Sequence, residues 1–229
     1  MRRSIGWLLG CAGIGLLAGV HGVVRWDSAG DAWLAVHLRG AVPVLQAVWP
    51  LGSPLASTAL AVAATFVARL DWRSRRVAWA LLAAGALAEL ASKVLGLGRP
   101  VGVPAVPVLP ILRLGLRPAF HVLGGSVPPW LLGALGAVHL RGTYPSGHVM
   151  RLALIPGFLL PRRGLRWSLA VAAAAGVAVV ATGGHTITDA LGGLCLARAV
   201  VCFWRETLPP PDPDSPAARP PETPRAASS

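Results

Sequence analysis

Lysine, cysteine and acidic residues are scarce in this chain of 229 residues. Lys93 is the only lysine among 21 basic residues, and there are 9 acidic residues and 3 cysteines. Cys11, Cys195 and Cys202 are odd in number and form no CxxC pair, which argues against a disulfide framework and against a cysteine metal site. With so few carboxylates opposing the arginines, the formal net charge is +12.

Hydrophobic residues make up 54% of the sequence and charged residues 13%, and the apolar residues come in long blocks. This composition is typical of an integral membrane protein. The arginines gather mostly in loops and tails between the blocks, as expected when they set membrane topology. We therefore expect membrane lipids as the surroundings and no nucleic-acid partner, despite the high positive charge.

Apolar stretches of roughly 20 residues predict six transmembrane helices. The predicted spans cover residues 5–24, 53–70, 77–98, 147–160, 168–184 and 186–204. We expect an all-α, six-helix membrane bundle over residues 1–204. Residues 205–229 are rich in proline and polar residues, and we expect them to form a disordered cytoplasmic tail.

Arginine placement predicts the orientation of these spans. Nine arginines flank the ends that six alternating spans assign to one face, and the positive-inside rule makes that face cytoplasmic; they are Arg2, Arg3, Arg73, Arg75, Arg76, Arg162, Arg163, Arg166 and Arg205. A multi-pass protein of the cell membrane with both termini in the cytoplasm is the expected result. A cleaved signal peptide, with Arg2 and Arg3 as its basic region and a lipoprotein-like site at Cys11, is the alternative for the N-terminus.

Three polar clusters interrupt the apolar blocks: Lys93 with Arg99, residues 145–148, and residues 185–189. In the predicted topology the third span runs outward to Lys93, the fourth begins outside at Ser146, and the fifth delivers His185. All three clusters therefore fall on the extracytoplasmic face, within one or two helical turns of the interface. Of the acidic residues, we expect only Glu89 and Asp189 to lie within or at the edge of an apolar stretch.

Two histidines and one carboxylate in these clusters suit phosphoryl transfer through a phosphohistidine. One imidazole attacks phosphorus and the other protonates the leaving oxygen. His185 and Asp189 are one helical turn apart, so the carboxylate can fix the imidazole tautomer. His148 is then the candidate general acid.

The remaining cluster residues are candidate phosphate ligands. Ser146 and Gly147 at a helix start offer a hydroxyl and backbone N–H groups to phosphate oxygens. Lys93 and Arg99 would neutralise the remaining phosphate charge. No cofactor is called for by this set.

Each cluster also has a simpler explanation. The Pro-Ser-Gly sequence is an ordinary helix start with a capping serine. Lys93 follows Glu89 by four residues, so an intramembrane ion pair would account for both. His185 and Asp189 could be two metal ligands, although no third ligand is evident in the sequence.

The three motifs in this order resemble the type 2 phosphatidic acid phosphatases, a membrane branch of the superfamily that contains the vanadium haloperoxidases. The resemblance covers about residues 5–204 and rests most on Pro145-Ser146-Gly147-His148. It implies a six-helix enzyme that hydrolyses lipid phosphates without metal. By the same resemblance His185 is the nucleophile, Asp189 its orienting partner and His148 the general acid, with the four phosphate ligands named above.

The chain departs from the family pattern in two places. The interval from Lys93 to Arg99 is one residue shorter, and the family's Ser-Arg pair falls at Ala178 and Val179. A lost charge-assisted phosphate contact is worth about 2 to 4 kcal/mol of transition-state stabilisation. Arg151, one turn beyond His148, and Arg141, just before the second motif, are the candidate replacements, and residues 182–184 are candidates for lining the pocket.

The expected function is hydrolysis of a phosphomonoester or pyrophosphate of a membrane lipid. A lipid phosphotransferase uses the same site when a lipid hydroxyl replaces water, and a noncatalytic lipid-phosphate binder or transporter is the alternative outside enzymes. Residues 101–144, rich in proline, are expected to shape substrate entry. The sequence leaves the identity of the lipid and the oligomeric state open.

Overall fold

The computed structural model describes residues 2–18, 20–97, 106–107, 139–140, 143–160 and 164–207. These residues form eight α-helices and one 3-10 helix: α1 Arg2–Leu17, α2 His21–His37, α3 Val42–Val48, the 3-10 helix Trp49–Gly52, α4 Pro54–Val67, α5 Trp72–Leu95, α6 Gly147–Leu159, α7 Gly164–Ala181 and α8 Ile187–Thr207. Strands β1 Val106–Pro107 and β2 His139–Leu140 pair antiparallel over two residues each. Apart from these two short strands, the regular structure of the described residues is helical, which confirms the expected all-α class. Residues 205–207, predicted to begin the disordered tail, instead form the last turn of α8. Residues 208–229 and most of the predicted entry loop lie outside the described residues.

Three of the described helices are long and apolar enough to cross a membrane. These are α5, α7 and α8, with 24, 18 and 21 residues. Shorter apolar helices cover residues 3–17, Pro54–Val67 and Gly147–Leu159. Length and composition therefore indicate a membrane protein.

The first predicted span is wrong in its boundary. Helix α1 ends at Leu17, and Val20 adopts an extended conformation, φ −77 and ψ 132, immediately before α2. Residues 21–24 therefore open a second helix and do not continue the first. Residues 25–52, expected to be a loop, contain most of α2, all of α3 and the 3-10 helix.

Helix α5 begins earlier than its apolar pattern indicates. Asp71 caps its N-terminus by accepting a hydrogen bond from the Ser74 backbone N–H at 2.8 Å. The first turn carries three arginines and thus has low hydropathy, although it is helical. An apolar window consequently places the start at Val77, one turn late.

The core lies where α6 packs against α7 and α8. Phe158 and Trp204 are fully buried, and their rings meet edge to face with centroids 5.2 Å apart. Gly157 allows close approach of the helices, because a Cβ there would lie 2.6 Å from Val201 Cγ2. Small residues at helix contacts are the usual way in which apolar helices pack tightly in membranes.

Hydrogen bonds define one end of the bundle, which we call the terminal end. Ser4 Oγ donates to Glu206 Oε2 at 2.9 Å, joining the start of α1 to the end of α8. Arg198 Nη1 donates to the Leu165 carbonyl at 2.9 Å, so the start of α7 lies there too. The opposite end, which we call the polar end, holds the end of α5 and the first turns of α6 and α8.

Helices α2 and α3 lie against α7 and α8 beside the polar end. Leu34 of α2 lines a cavity with Ala172 and Ala173 of α7. Leu45 of α3 lines another with Val171 and Ala174. Gly52, at the end of the following 3-10 helix, lies against the ring of His148. The segment predicted as a loop therefore forms one wall of the region around the histidines.

Candidate functional site

The start of α6 is held in place by three other helices. The Tyr144 hydroxyl donates to the Cys11 carbonyl of α1, and the Tyr144 N–H donates to the Leu97 carbonyl after α5 at 3.3 Å. The Ser146 N–H donates to the Asp189 carbonyl of α8 at 2.8 Å. Ser146 is the N-cap of α6, as its sequence context predicts, and its side chain accepts from the Val149 N–H at 3.5 Å. The simpler explanation considered for Ser146, helix capping, is therefore confirmed, and its role as a phosphate ligand stays a prediction.

Two glycines let the helices approach closely at this point. A Cβ on Gly147 would lie 2.1 Å from Glu89 Oε1, and a Cβ on Gly193 would lie 2.4 Å from the Ser146 carbonyl oxygen. Side chains at these positions would push α5 and α8 away from the start of α6. The glycines thus bring Glu89 and Asp189 next to the Pro-Ser-Gly-His segment.

A glycine turn after α7 delivers His185. Gly183 has φ 74, a left-handed conformation that favours glycine, and the N–H groups of Gly184 and His185 donate to the Val179 carbonyl at 2.9 and 3.2 Å. The Thr182 hydroxyl donates to the Ala178 carbonyl at 2.7 Å. Residues 182–184, considered above as pocket lining, therefore serve to end α7.

His185, Asp189 and His148 come together at the polar end. His185 Nδ1 lies 3.3 Å from Asp189 Oδ2, and the side chain of Asp189 is completely buried. The rings of His148 and His185 have centroids 5.8 Å apart and an interplanar angle of 65°. Because Nδ1 faces the carboxylate, Nε2 is the His185 nitrogen left for chemistry.

Lys93 joins the site through Glu89. Lys93 Nζ lies 2.6 Å from Glu89 Oε1, and Arg151 Nη1 lies 2.5 Å from Glu89 Oε2. Arg151 Nε also donates to Ser57 Oγ of α4 at 2.9 Å. The ion pair considered for Glu89 and Lys93 is confirmed, with a second cation shared. We call Lys93, Glu89 and Arg151 the charge cluster.

The position where the family carries an arginine faces the same region. Val179 and Ala178 line a cavity of about 320 Å³ together with His148, and the other lining side chains are apolar. Val179 itself is 3% exposed. Arg99 and Arg141, the two other candidate cations, lie outside the described residues. Arg151 is the candidate replacement that the structure places beside the histidines.

Sequence reasoning missed two carboxylates near this site. Asp27 and Asp31 of α2 are one turn apart and lie against the start of α8, where Asp27 accepts hydrogen bonds from Thr188. The expectation that only Glu89 and Asp189 would accompany apolar segments is therefore wrong. The four-residue spacing was a usable signal, since it places both carboxylates on one face of a helix.

Burial and charge act together on Asp31. Burial, followed by the negative charges of Asp27 and Asp189, raises the pKa of the Asp31 carboxyl to about 6, while the Ile187 N–H opposes this shift. Asp31 is part of α2, which is neither one of the three helices long enough to cross a membrane nor one of the shorter apolar helices. The Asp31 carboxyl therefore loses its proton close to neutral pH.

No group of three or more His, Cys, Asp or Glu side chains is placed to hold a metal ion within the described ranges. Comparison with family models, with curated proteins and with solved structures found no match for the chain. The assignment of function accordingly rests on the residues and geometry of the site.

Proposed function

We propose that this protein is a metal-independent lipid phosphate phosphatase that works through a phosphohistidine at His185. The observation that supports this most is the His185–Asp189 pair facing His148 at one end of an apolar helical bundle. A nucleophile oriented by a buried carboxylate has a role in group transfer that simple binding does not require. The charge cluster beside it suits an anionic phosphoryl group.

In the first step His185 Nε2 attacks phosphorus, and the bond from phosphorus to the lipid oxygen breaks. His148 donates a proton to that oxygen as the lipid leaves. Asp189 accepts the Nδ1 hydrogen bond throughout, and it stabilises the positive charge that develops on the imidazole. The products are the free lipid hydroxyl and a phosphohistidine.

In the second step water attacks the phosphohistidine and the phosphorus–nitrogen bond breaks. His148, now deprotonated, accepts the proton from that water, and inorganic phosphate is released. A lipid hydroxyl in place of water would make the same intermediate into a phosphotransferase. An experiment that tests the proposal must therefore compare water alone with an added lipid hydroxyl as the acceptor of the phosphoryl group.

The charge cluster supports phosphate binding despite its internal ion pairs. Two cations and one carboxylate leave a net charge of +1, and the Lys93 ammonium has three donors while the Arg151 guanidinium has five. Among the described residues, hydrogen bonds use one donor of Lys93 and two of Arg151. The remaining donors are available to phosphate oxygens, in the role that Val179 cannot fill.

The location of the site favours a lipid over a soluble phosphate ester. The cavity beside His148 is lined almost entirely by apolar side chains, which suits a hydrocarbon chain attached to the reacting phosphate. We propose that α1, α4, α5, α6, α7 and α8 are the six spans, with the polar end extracytoplasmic. Phosphatidate, phosphatidylglycerophosphate and polyprenyl phosphates or pyrophosphates are then the candidate substrates.

Phosphate release from these lipids by purified protein in detergent with EDTA tests the proposal. Wild type is compared with His185→Ala, and with His37→Ala as a matched control, because His37 lies exposed at the end of α2 and bonds only locally to the Trp33 carbonyl. We expect release that survives EDTA, persists in His37→Ala and falls at least a thousandfold in His185→Ala.

The outcome separates the alternatives. Turnover only after a lipid hydroxyl is added, detected as a new phosphorylated lipid without release of inorganic phosphate, identifies a transferase. No turnover in either arm by folded protein, with tight binding of lipid phosphate, identifies a noncatalytic binder. Equal activity in wild type and His185→Ala excludes the phosphohistidine route.

A further inference from the structure

Asp27 reaches from α2 into the first turn of α8. It is 4% exposed, and both of its carboxylate oxygens face Thr188. Oδ1 accepts from the Thr188 N–H at 2.9 Å, and Oδ2 accepts from the Thr188 hydroxyl. A carboxylate buried in this way is a tertiary cap, supplied by a residue 161 positions away in sequence.

A continuous set of hydrogen bonds connects Asp27 with the His185–Asp189 pair. Since the Thr188 hydroxyl donates to Asp27, the Thr186 hydroxyl donates to Thr188 Oγ1 across 3.1 Å. Thr186 Oγ1 accepts from the Asp189 N–H at 3.3 Å, and the Thr186 N–H donates to Asp189 Oδ2 at 3.2 Å. That same Oδ2 atom faces His185 Nδ1.

Helix α2 therefore holds the first turn of α8 in place through Asp27. Asp27 satisfies the Thr188 N–H, Thr186 satisfies the Asp189 N–H, and a carboxylate at a helix N-terminus is favoured by the helix dipole. The two helices approach closely at this point, because a Cβ on Gly30 would lie 2.3 Å from Ile187 Cδ1. The charge cluster belongs to α5 and α6, so phosphate binding is held by other elements.

We propose that Asp27 is a positioning residue for the reaction, acting through Thr188 and Thr186 to hold His185 Nε2 in line with the phosphorus of a bound lipid phosphate. The inference rests on the proposed phosphohistidine chemistry and adds a residue outside its three motifs. Asp27 contacts neither substrate nor the reacting atoms. Its contribution is the orientation of the nucleophile.

This role predicts an effect on turnover separate from substrate binding. A misplacement of about 1 Å at a reacting atom costs on the order of a hundredfold in rate. For Asp27→Ala we expect kcat to fall about ten- to a hundredfold with KM changed less than about twofold. Asp27→Asn keeps an acceptor for the Thr188 N–H, and we expect it to recover most of the lost kcat.

Asp71→Ala is the matched control. Asp71 also caps a helix by accepting a backbone N–H, but it does so at the start of α5, at the opposite end from Lys93. We expect it to lower stability without changing kcat per folded molecule. Thr188→Val removes the middle hydroxyl by a smaller change, so we expect a lower kcat there and recovery in Thr188→Ser.

Hydrogen exchange gives a readout that does not depend on activity. Amides of residues 186–190 should exchange at least tenfold faster in Asp27→Ala than in wild type, and they should be unaffected in Asp71→Ala. If wild type turns over no lipid phosphate, the proposed function fails, whereas unchanged exchange in Asp27→Ala overturns the positioning role itself. An unchanged kcat in folded Asp27→Ala, or a loss that only tracks the folded fraction as in Asp71→Ala, also overturns it.

Discussion

Glu89 shows how one buried carboxylate organises two cations. Its side chain is 10% exposed and meets Lys93 on one oxygen and Arg151 on the other. Each cation would carry a large desolvation cost without this partner. The ion pair and the phosphate-ligand role considered for Lys93 are therefore compatible, because Glu89 contacts both cations and holds them in position near His148.

Replacing Arg151 tests whether this residue makes the phosphate contact expected of an arginine at position 179, where this chain has Val179. We expect Arg151→Met to lower kcat/KM for lipid phosphate by about a hundred- to a thousandfold, the usual effect of losing one charged donor to a transition state. Kinetics of phosphate release, normalised to folded protein, measure the effect. Arg151 is 4% exposed, so its methylene stem has a packing role that methionine retains.

Arg198→Met is the matched control for this change. Arg198 is a partly buried arginine of α8 at the terminal end, where it donates to the Leu165 carbonyl. We expect this variant to lose stability and keep its kcat/KM per folded molecule. Equal losses in the two variants would mean that Arg151 contributes through folding alone.

Asp31 gives a prediction about pH and stability. The pKa of its carboxyl is about 6 in the folded protein against an ordinary value of 3.8, so the folded state binds the proton more tightly. Stability is then lost as pH rises from about 4 to about 6 and does not return above that range. Asp31→Asn, which never ionises, should raise the thermal midpoint in detergent near pH 8 but not near pH 4. A shift of equal size at both pH values would contradict this account.

The motif residues were predictable from sequence because their chemistry depends on residue type and local spacing. His185 and Asp189 are one turn apart, and that spacing was enough to predict their contact. Asp27 was not predictable in the same way, since its partner Thr188 is distant in sequence. The pairing depends on how α2 packs, which no local pattern encodes.

At the scale of elements, the break between α1 and α2 explains the wrong first span. His21 is the one polar side chain between Leu16 and Val24, so a hydropathy window does not separate the two helices. What distinguishes α2 is its inner face, where Asp27, Asp31 and Leu34 recur at helical spacing. Its exposed residues include Trp26 and Trp33. Tryptophan at such positions is typical of a helix at the membrane interface.

Gly147 determines how closely α5 approaches α6. In Gly147→Ala the new Cβ would displace the Glu89 carboxylate, which both cations hold in place. We expect a loss of about 1 to 3 kcal/mol, the usual cost of overpacking a core. Denaturation in detergent measures the loss.

Gly13→Ala is the control at a helical glycine with open space, since nothing lies within 4 Å of its Cβ position. Here alanine should stabilise the helix by up to about 1 kcal/mol, because glycine has the poorer helix propensity. Destabilisation of similar size in both variants would show that close approach at Gly147 is not the cause.

At the scale of the molecule, the proposed topology places the terminal end of the bundle in the cytoplasm and the polar end outside it. The start of α1 and the end of α8 meet at the terminal end through Ser4 and Glu206. The described residues of the three motifs meet at the polar end, and Arg99 lies outside the described residues. The helical class and the three long apolar helices were predictable from composition and length alone. The bounds of α6, only 13 residues long, were less certain because a short apolar run fits several lengths.

Reporter fusions test the orientation that we propose. A fluorescent protein that folds only in the cytoplasm should be active after Thr207, and an exported phosphatase reporter should be active when inserted after residue 120. Activity of each reporter in the opposite position would place the polar end in the cytoplasm. The six-span assignment predicts that the two reporters never work at the same position.

The proposed function requires a covalent phosphate on His185, and trapping that intermediate is its most direct test. Protein turning over a lipid phosphate labelled with ³²P is quenched in alkali, where phosphohistidine survives, and the labelled peptides are mapped. We predict label on His185 in wild type and in His37→Ala, with none in His185→Ala. Label on another residue, or phosphate release at full rate from His185→Ala, would contradict it.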